Sequence, residues 1–511
     1  MESRVKNAKR NIFASAVNKI FSILMPFVIR TIIINELGIE YLGLDNLFVS
    51  ILQILNLSEM GISSAIVYCL YKPISERDNK KIYALYNFIR KAYHYIGLGI
   101  LLIGLAIVPF LRYFIAGSIP EDINLYVLYF IYLFNTVISY LLFAYKNALL
   151  NAYQRIDIST NILTISRMIM YILQIGLLVI FHNYYIYAIM LPLCTIINNY
   201  ITKYYTDKLF PDIVAKGNLE QETKDKLKKQ IGGVFVTKIC TVSRNSLDSI
   251  VISAYLGLSV TAIYGNYYYI LNGVLALLVI LTSSIIPGIG NSIATNSVEK
   301  NYKDFIKFNF MYMWVSGVCT VCLYNMYQPF MKIWVGQDMM FSNTIVALFT
   351  IYFYSLTIGS VRAAYAEAAG LWWENRYKSV LEAVLNIVLN IILGRFFGVV
   401  GILLATIITV VFINYGFSAQ ILYKMYFKEY KLSKYFLKTL YYFFITLISC
   451  VITFYINKFI AINGLLGIFM SLLISFLVSN SVFWLSYRRL SEYNTSVSWF
   501  KSVLTKERRK W

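Results

Sequence analysis

Charged side chains lie inside long apolar stretches of this sequence, in positions where they can hold ions or charged ligands. A charged residue at the centre of a bilayer costs at least about 2.5–3.5 kcal/mol on insertion scales, so it usually faces a cavity or a partner. Apart from bases within three residues of a span end, six bases lie in the membrane spans predicted below: Lys19, Arg30, Arg167, Lys238, Arg244 and Arg362. Five acids lie there as well: Asp45, Glu59, Asp248, Glu367 and Glu382.

Spacing places many of these charges on polar helix faces. In the first span, Ser15, Lys19, Ser22, Pro26 and Arg30 follow one another at steps of three or four residues, which is one face of a helix. Three further stripes have the same spacing: Gln53, Asn56, Glu59 and Ser63; Asn161, Thr164, Arg167, Tyr171 and Gln174; and Thr237, Thr241, Arg244 and Asp248, with Lys238 beside them. Four such faces predict one water-filled cavity whose fixed charge is mainly positive.

Structural roles remain open for the same residues. Lys19 and Arg30 could extend along their apolar stems to the lipid headgroups. Arg244 and Asp248 are four residues apart, so they could neutralise each other on one helix, and Glu59 could serve only as a structural partner of a base. Arg362 and Glu367 are five residues apart and do not stack on one face.

No catalytic or metal-binding pattern competes with this interpretation. The two histidines, His94 and His182, lie beside predicted span ends, and no GxSxG, HExxH or P-loop pattern occurs. Cys319 and Cys322 form a CxxC inside a predicted span without a second pair, which is typical of small apolar residues. We therefore expect a protein that is not an enzyme and that binds no metal.

Composition indicates an all-α polytopic membrane protein. The 511 residues are 59% hydrophobic and 14% charged, whereas soluble domains carry about 25% charged residues. Apolar runs of about 20 residues, enough to cross a core of about 30 Å, recur along the chain. Fourteen spans are predicted, at 12–34, 42–71, 88–111, 125–146, 161–181, 185–202, 231–256, 261–287, 307–328, 344–368, 379–394, 398–422, 436–456 and 465–486.

The distribution of bases predicts the orientation. Of the 46 Lys and Arg, 36 lie in the N-terminal arm, the even-numbered loops and the tail, and 4 lie in the odd-numbered loops. The positive-inside rule then places both termini in the cytoplasm. The net charge of +21 is explained by bases that face anionic headgroups, so nucleic acid need not be a partner.

An internal repeat divides the chain. A shift of 219 residues aligns Lys19 with Lys238, Leu37-Gly38 with Leu256-Gly257, and Lys81 with Lys300, over about 70 residues. Six spans separate the two starts, so the repeat is parallel and predicts two pseudo-symmetric six-helix lobes. The predicted parts are an N-lobe at 1–202, a cytoplasmic connector at 203–230, a C-lobe at 231–435, two extra spans at 436–486, and a basic amphipathic tail at 487–511.

Two segments resemble a known family. Residues 36–85 read ELGIEYLGLDNLFVSILQILNLSEMGISSAIVYCLYKPISERDNKKIYAL, and residues 368–409 read AAGLWWENRYKSVLEAVLNIVLNIILGRFFGVVGILLATIIT. Both are similar to segments of Wzx-type polysaccharide flippases, whose superfamily also includes MurJ-type lipid II flippases and multidrug exporters of the MATE type. The resemblance covers most of residues 1–425.

The resemblance implies a MATE-like fold and the transport of undecaprenyl-diphosphate-linked oligosaccharide repeat units across the bacterial cytoplasmic membrane for capsule assembly. The six span bases would hold the diphosphate and glycan, and a polysaccharide polymerase and chain-length machinery would be partners. Movement of H+ or Na+ could be coupled through Glu59, Asp45, Asp248 or Glu367, with no other cofactor. The alternative is a MATE-like exporter of drugs or metabolites on the same fold.

Overall fold

The computed structural model describes residues 2–56, 59–371, 374–460 and 464–508. This described part of the chain is formed by helices joined by short turns, which confirms the predicted all-α class. Ten of the described helices are long and apolar enough to cross a membrane, or eleven if one bent pair forms a single span.

Eight helices form the part of the chain before residue 210. They are α1 (Glu2–Glu36), α2 (Ile39–Leu55), α3 (Glu59–Glu76), α4 (Asn79–Ile107), α5 (Leu125–Leu141), α6 (Lys146–Ala152), α7 (Ile156–Phe181) and α8 (Tyr184–Leu209). The predicted span at 42–71 is divided into α2 and α3. The hydroxyl of Tyr140 donates to the backbone carbonyl of Asn56 at 3.0 Å, which satisfies a carbonyl group where α2 ends.

The chain then continues in a second series of helices. They are α9 (Gln221–Leu256), α10 (Leu258–Thr295), α11 (Val298–Trp334), α12 (Asn343–Thr357), α13 (Ser360–Ala368), α14 (Arg376–Ile408), a π-helical segment (Thr409–Phe417), α15 (Ser418–Met425), α16 (Leu432–Ile460), α17 (Gly464–Tyr487) and α18 (Ser491–Arg508). The backbone of α14 leaves the helical conformation at Gly398, where φ is 57° and ψ is −135°. The amide of Asn386 donates to Thr406 at 3.1 Å, so the chain turns back at this glycine and forms a hairpin.

The helix boundaries repeat with the shift found in the sequence. Adding 219 to the bounds of α1 gives 221–255, and α9 is Gln221–Leu256. Adding 219 to the stretch from the start of α2 to the end of α3 gives 258–295, which are the bounds of α10. Glycines with positive φ occupy the equivalent turns, at 121° for Gly38 and 87° for Gly257, a conformation that favours glycine.

The start of the following helix repeats as well. The side chain of Asp78 accepts a hydrogen bond from the backbone amide of Lys81 at the start of α4. At the start of α11, the hydroxyl of Ser297 accepts one from the backbone amide of Lys300. Asp78 and Ser297 differ by 219 residues, so both copies begin this helix with an N-cap side chain, an interaction that typically contributes about 1 kcal/mol.

The chain forms two compact units, Met1–Ala262 and Ile263–Trp511. The first unit includes α9, which packs against α2 and α3. Three hydrogen bonds tie the end of α9 and the start of α10 into this unit: Ser259 to Glu40 at 2.9 Å, the amide of Asn46 to the carbonyl of Thr261 at 3.4 Å, and the amide of Ala116 to the carbonyl of Ser253 at 2.8 Å. The lobe bounds derived from the repeat stay a prediction.

Candidate functional site

Helices α1 and α7 pack against each other, and each carries one of the predicted bases. The amide of Asn18 donates to the hydroxyl of Thr164 at 2.7 Å, and this bond fixes the register of the two helices. Lys19 follows Asn18 directly and is exposed, whereas Arg167 lies one turn after Thr164 and is half-buried. Further along the pair, the rings of Phe21 and Tyr171 are 5.7 Å apart. A base from each helix is therefore available on this part of the first unit.

Arg30 belongs to a polar cluster that includes α1, α2, α5 and α8. Its guanidinium donates to the side-chain carbonyl of Asn46 at 2.7 Å and interacts electrostatically with Asp45. The hydroxyl of Tyr132 donates to Asp45 at 2.5 Å and lies 3.0 Å from the hydroxyl of Tyr184. We name these five residues the Arg30 cluster. Within it, Arg30 interacts with protein groups of the first unit.

The predicted polar stripe on α9 is buried in the C-terminal half of the helix. Arg244 is 6% exposed and Asp248 is completely buried. The hydroxyl of Ser246 donates a hydrogen bond to the side-chain carbonyl of Gln53 on α2 at 3.4 Å. Gln53 of the predicted α2 stripe therefore contacts α9, but it does so through Ser246, which does not share the helix face of Arg244 and Asp248. The side chains of Lys238 and Glu59, two further predicted site residues, lie outside the described residues.

The second unit contains its own buried charge cluster, which we name the Glu382 cluster: Arg362, Lys378, Glu382 and Asn414. The ammonium of Lys378 lies 3.5 Å from the Glu382 carboxylate, and both side chains are nearly inaccessible. The Asn414 amide donates to both oxygens of Glu382, at 2.9 and 3.1 Å. Arg362 is 3% exposed and interacts electrostatically with Glu382.

Glu367 lies apart from this cluster. It is exposed on α13, whereas Arg362 on the same helix is buried, so the two point to different faces as their spacing predicts. Of the six predicted bases, the structure therefore places Lys19 and Arg167 on one helix pair, Arg30 and Arg362 in two separate buried clusters, and Arg244 in a buried helix face.

Sequence reasoning missed Lys378 and Lys146. Lys378 and Glu382 are spaced i, i+4, which indicates a pair, but Lys378 falls just outside the apolar run that predicts the span at 379–394. Lys146 forms an ion pair with Asp207, and its side chain is buried although it stands at a predicted span end. The 61 residues between these two partners leave no local signal for their contact.

No group of three or more His, Cys, Asp or Glu in the described residues has the arrangement of a metal site. The six cysteines form no disulfide bonds with one another, and Cys319 and Cys322 are half-buried on α11. The two clusters are thus built from bases, acids, amides and hydroxyls, a set that binds ions and charged ligands by electrostatics and hydrogen bonds.

A long apolar chain with buried charges on its helices is the architecture of a multi-pass membrane protein. Neither a protein-family model nor a curated protein matches the sequence. Solved structures do match. The lipid II flippase MurJ in an inward closed conformation is 18% identical, with a TM-score of 0.65, over 94% of this chain and 99% of that one.

MATE transporters are similar as well. An inward-facing multidrug resistance MATE family transporter of the MOP superfamily is 13% identical, with a TM-score of 0.60, over 82% of this chain and 95% of its own. A mutant of the Vibrio cholerae MATE transporter VcmN is 14% identical, with a TM-score of 0.54, over 85% of this chain and 100% of its own. The chain therefore has the fold that MurJ shares with MATE transporters.

Proposed function

We propose that the protein is a flippase that moves undecaprenyl-diphosphate-linked oligosaccharide repeat units from the cytoplasmic to the outer leaflet of a bacterial plasma membrane. The observation that carries this proposal is the extent of the MurJ similarity, which covers 94% of this chain and 99% of MurJ. The two MATE similarities described above leave 15–18% of this chain unmatched, although they cover at least 95% of the MATE chains. The additional length thus favours a lipid-linked cargo.

The chemistry of the first unit fits an anionic cargo. A diphosphate is bound best by ammonium and guanidinium groups, which make charge-assisted hydrogen bonds. Lys19 is exposed on α1, and Arg167 is half-buried on α7, the helix that packs against α1. Neither base has a carboxylate within ion-pair distance among the residues that the structure describes. These two are therefore our candidates for direct phosphate contacts, together with Lys238 from the repeat.

Coupling of transport to an ion is proposed through Asp45. Its carboxylate accepts a hydrogen bond from Tyr132 and lies near Arg30, so a change in its protonation or ion binding would alter contacts among three helices. Alternating access requires two states whose populations depend on bound ions or cargo. Glu59, Asp248 and Glu367 remain further candidates.

A MATE-like exporter of drugs or metabolites is the second candidate, because MATE transporters have the same fold. A cationic drug would be bound by acids in the cavity, whereas a lipid diphosphate would be bound by bases. Substitution of the bases therefore separates the two functions.

The test measures surface polysaccharide in a flippase-null strain that expresses each variant. We expect Lys19→Ala, Arg167→Ala and Lys238→Ala to abolish export while the protein stays in the membrane, and Lys19→Arg to be milder because the charge is retained. Lys72→Ala is the matched control, since Lys72 forms only an exposed pair with Glu76 at 3.8 Å. Normal export by all three Ala variants, with drug resistance conferred by the wild type, would support the exporter instead.

A further inference from the structure

A lysine-rich pocket lies at one end of the second unit, separate from the Glu382 cluster. It is formed by the start of α11, the turn before α16 with the start of α16, and the start of α18. Its volume is about 510 Å³. Five lysines line it: Lys303, Lys307, Lys431, Lys434 and Lys438. The positive-inside prediction places these three chain segments on the cytoplasmic side.

The pocket has an excess of positive charge, because five lysines and only two acids, Glu429 and Glu492, line it. Three of its lysines have acidic partners: Lys303 lies 2.7 Å from Glu299, Lys307 lies 2.5 Å from Asp304, and Lys438 pairs with Glu492. Lys431 and Lys434 are exposed, and no acid of the described residues lies within ion-pair distance of either one. Their ammonium groups are thus available to an anion that enters the pocket.

Aromatic stacking and α18 give the pocket fixed walls. The rings of Tyr302 and Tyr430 are stacked, with centroids 3.5 Å apart. The ammonium of Lys307 lies 5.6 Å from the centre of the Trp499 ring, and Trp499 packs edge-on against Phe308 at 5.8 Å. These contacts hold α18 against α11, so the tail helix closes one side of the pocket. The sequence predicted only a basic amphipathic tail at 487–511.

An apolar stripe continues from the pocket along α16. Leu437, Tyr441 and Phe444 follow Lys434 at helical spacing on one face, and Leu437 and Phe444 are at least half exposed. A soluble anion would gain nothing from this stripe. A phospholipid would place its phosphate among the lysines and its acyl chains along the stripe, which is the manner in which basic pockets at membrane surfaces bind anionic lipids.

We propose that this pocket is a binding site for the phosphoryl headgroup of an anionic phospholipid, bound by Lys431 and Lys434. The bound lipid bridges α11, α16 and α18 and so stabilises the packing of the C-terminal helices on the second unit. This site is independent of the proposed flippase cargo, because it uses none of the predicted cargo residues.

The test titrates phosphatidylglycerol into the purified full-length protein in neutral detergent and follows its melting temperature. Phosphatidylcholine, a zwitterion without net charge, is the lipid control, and glycerol phosphate and inorganic phosphate are the soluble anions. We expect phosphatidylglycerol alone to stabilise the wild type at low concentration. Each lysine near an anionic lipid contributes roughly fivefold to binding, so Lys431→Gln with Lys434→Gln should weaken it about 25-fold.

Two control variants keep the result interpretable. Lys431→Arg with Lys434→Arg retains the charges and should bind phosphatidylglycerol nearly as the wild type does. Lys72→Gln with Lys80→Gln removes two exposed lysines from the first unit and should leave the titration unchanged. Equal weakening by this last pair would show general surface attraction and overturn the proposal. Equal stabilisation by glycerol phosphate or inorganic phosphate would overturn the assignment to a lipid.

Discussion

Loss of the Glu382 carboxylate is expected to destabilise the protein strongly. Glu382 is 5% exposed, faces the Lys378 ammonium at 3.5 Å and accepts two hydrogen bonds from Asn414. Removal of one member of a buried ion pair typically costs 3–5 kcal/mol, because the other charge stays buried without its partner. For Glu382→Ala we therefore expect a loss of about 4 kcal/mol, at the middle of this range, since Arg362 is also deprived of this carboxylate.

The chain provides a matched control for this change. Lys72 and Glu76 are also four residues apart and form an ion pair at 3.8 Å, but their side chains are 83% and 52% exposed. An exposed pair of this kind contributes about 0–1 kcal/mol, so Glu76→Ala should change stability little. Thermal unfolding of the purified full-length variants, followed by intrinsic fluorescence and aggregation, compares the two substitutions directly.

A double-mutant cycle separates the ion pair from packing. The single variants Lys378→Met and Glu382→Gln each remove one charge, and the double variant removes both. The double variant should therefore be less destabilised than the sum of the two single variants. If Glu382→Ala and Glu76→Ala lower the melting temperature equally, the buried Glu382 cluster contributes no more to stability than the exposed Lys72–Glu76 pair. Simple additivity of the two single variants would likewise refute the pairing of Lys378 with Glu382.

Two further predictions concern topology and coupling. Residues 203–230 are predicted to be cytoplasmic. A cysteine at position 218, in a variant without the six native cysteines, should therefore react with an impermeant thiol reagent only after cells are opened. Labelling of intact cells would contradict the predicted orientation. Asp45→Asn weakens the charge-assisted hydrogen bond from Tyr132 and should make transport in proteoliposomes insensitive to an imposed H+ or Na+ gradient; a retained gradient response would move the coupling role to another acid.

Much of the fold can be predicted from the sequence, because the length of apolar runs and the position of bases are set by the membrane. The repeat is also visible in the sequence, and the structure extends it to the bounds of α9 and α10. The division of the predicted span at 42–71 is not predictable in the same way. The hydroxyl of Tyr140 that satisfies the end of α2 comes from a helix 84 residues away.

The candidate site is predictable only in part. Helical spacing predicts Lys19 and Arg30 on one helix, and both lie on α1, but the spacing does not give their partners. Asp45 and its partner Tyr132 are 87 residues apart, and their contact depends on the packing of α2 against α5. Hydropathy also excludes charged residues at helix ends from the predicted spans. The predicted span at 379–394 therefore begins after Lys378, although this lysine is buried on α14.

The structure divides the intramembrane bases into two groups with different expected roles. Arg30 and Arg362 interact with acids or amides of their own units, so cargo binding there would have to break protein contacts. Lys19 and Arg167 have no such carboxylate partners in the described part of the chain, and an anion can contact them without that cost. A cargo diphosphate should therefore be held first by α1 and α7, while the Arg30 and Glu382 clusters keep the helices of each unit in register. The polar stripes identify the helix faces that can contact water and ligand. The distances from each base to its protein partners then distinguish a base that binds cargo from one that stabilises the fold.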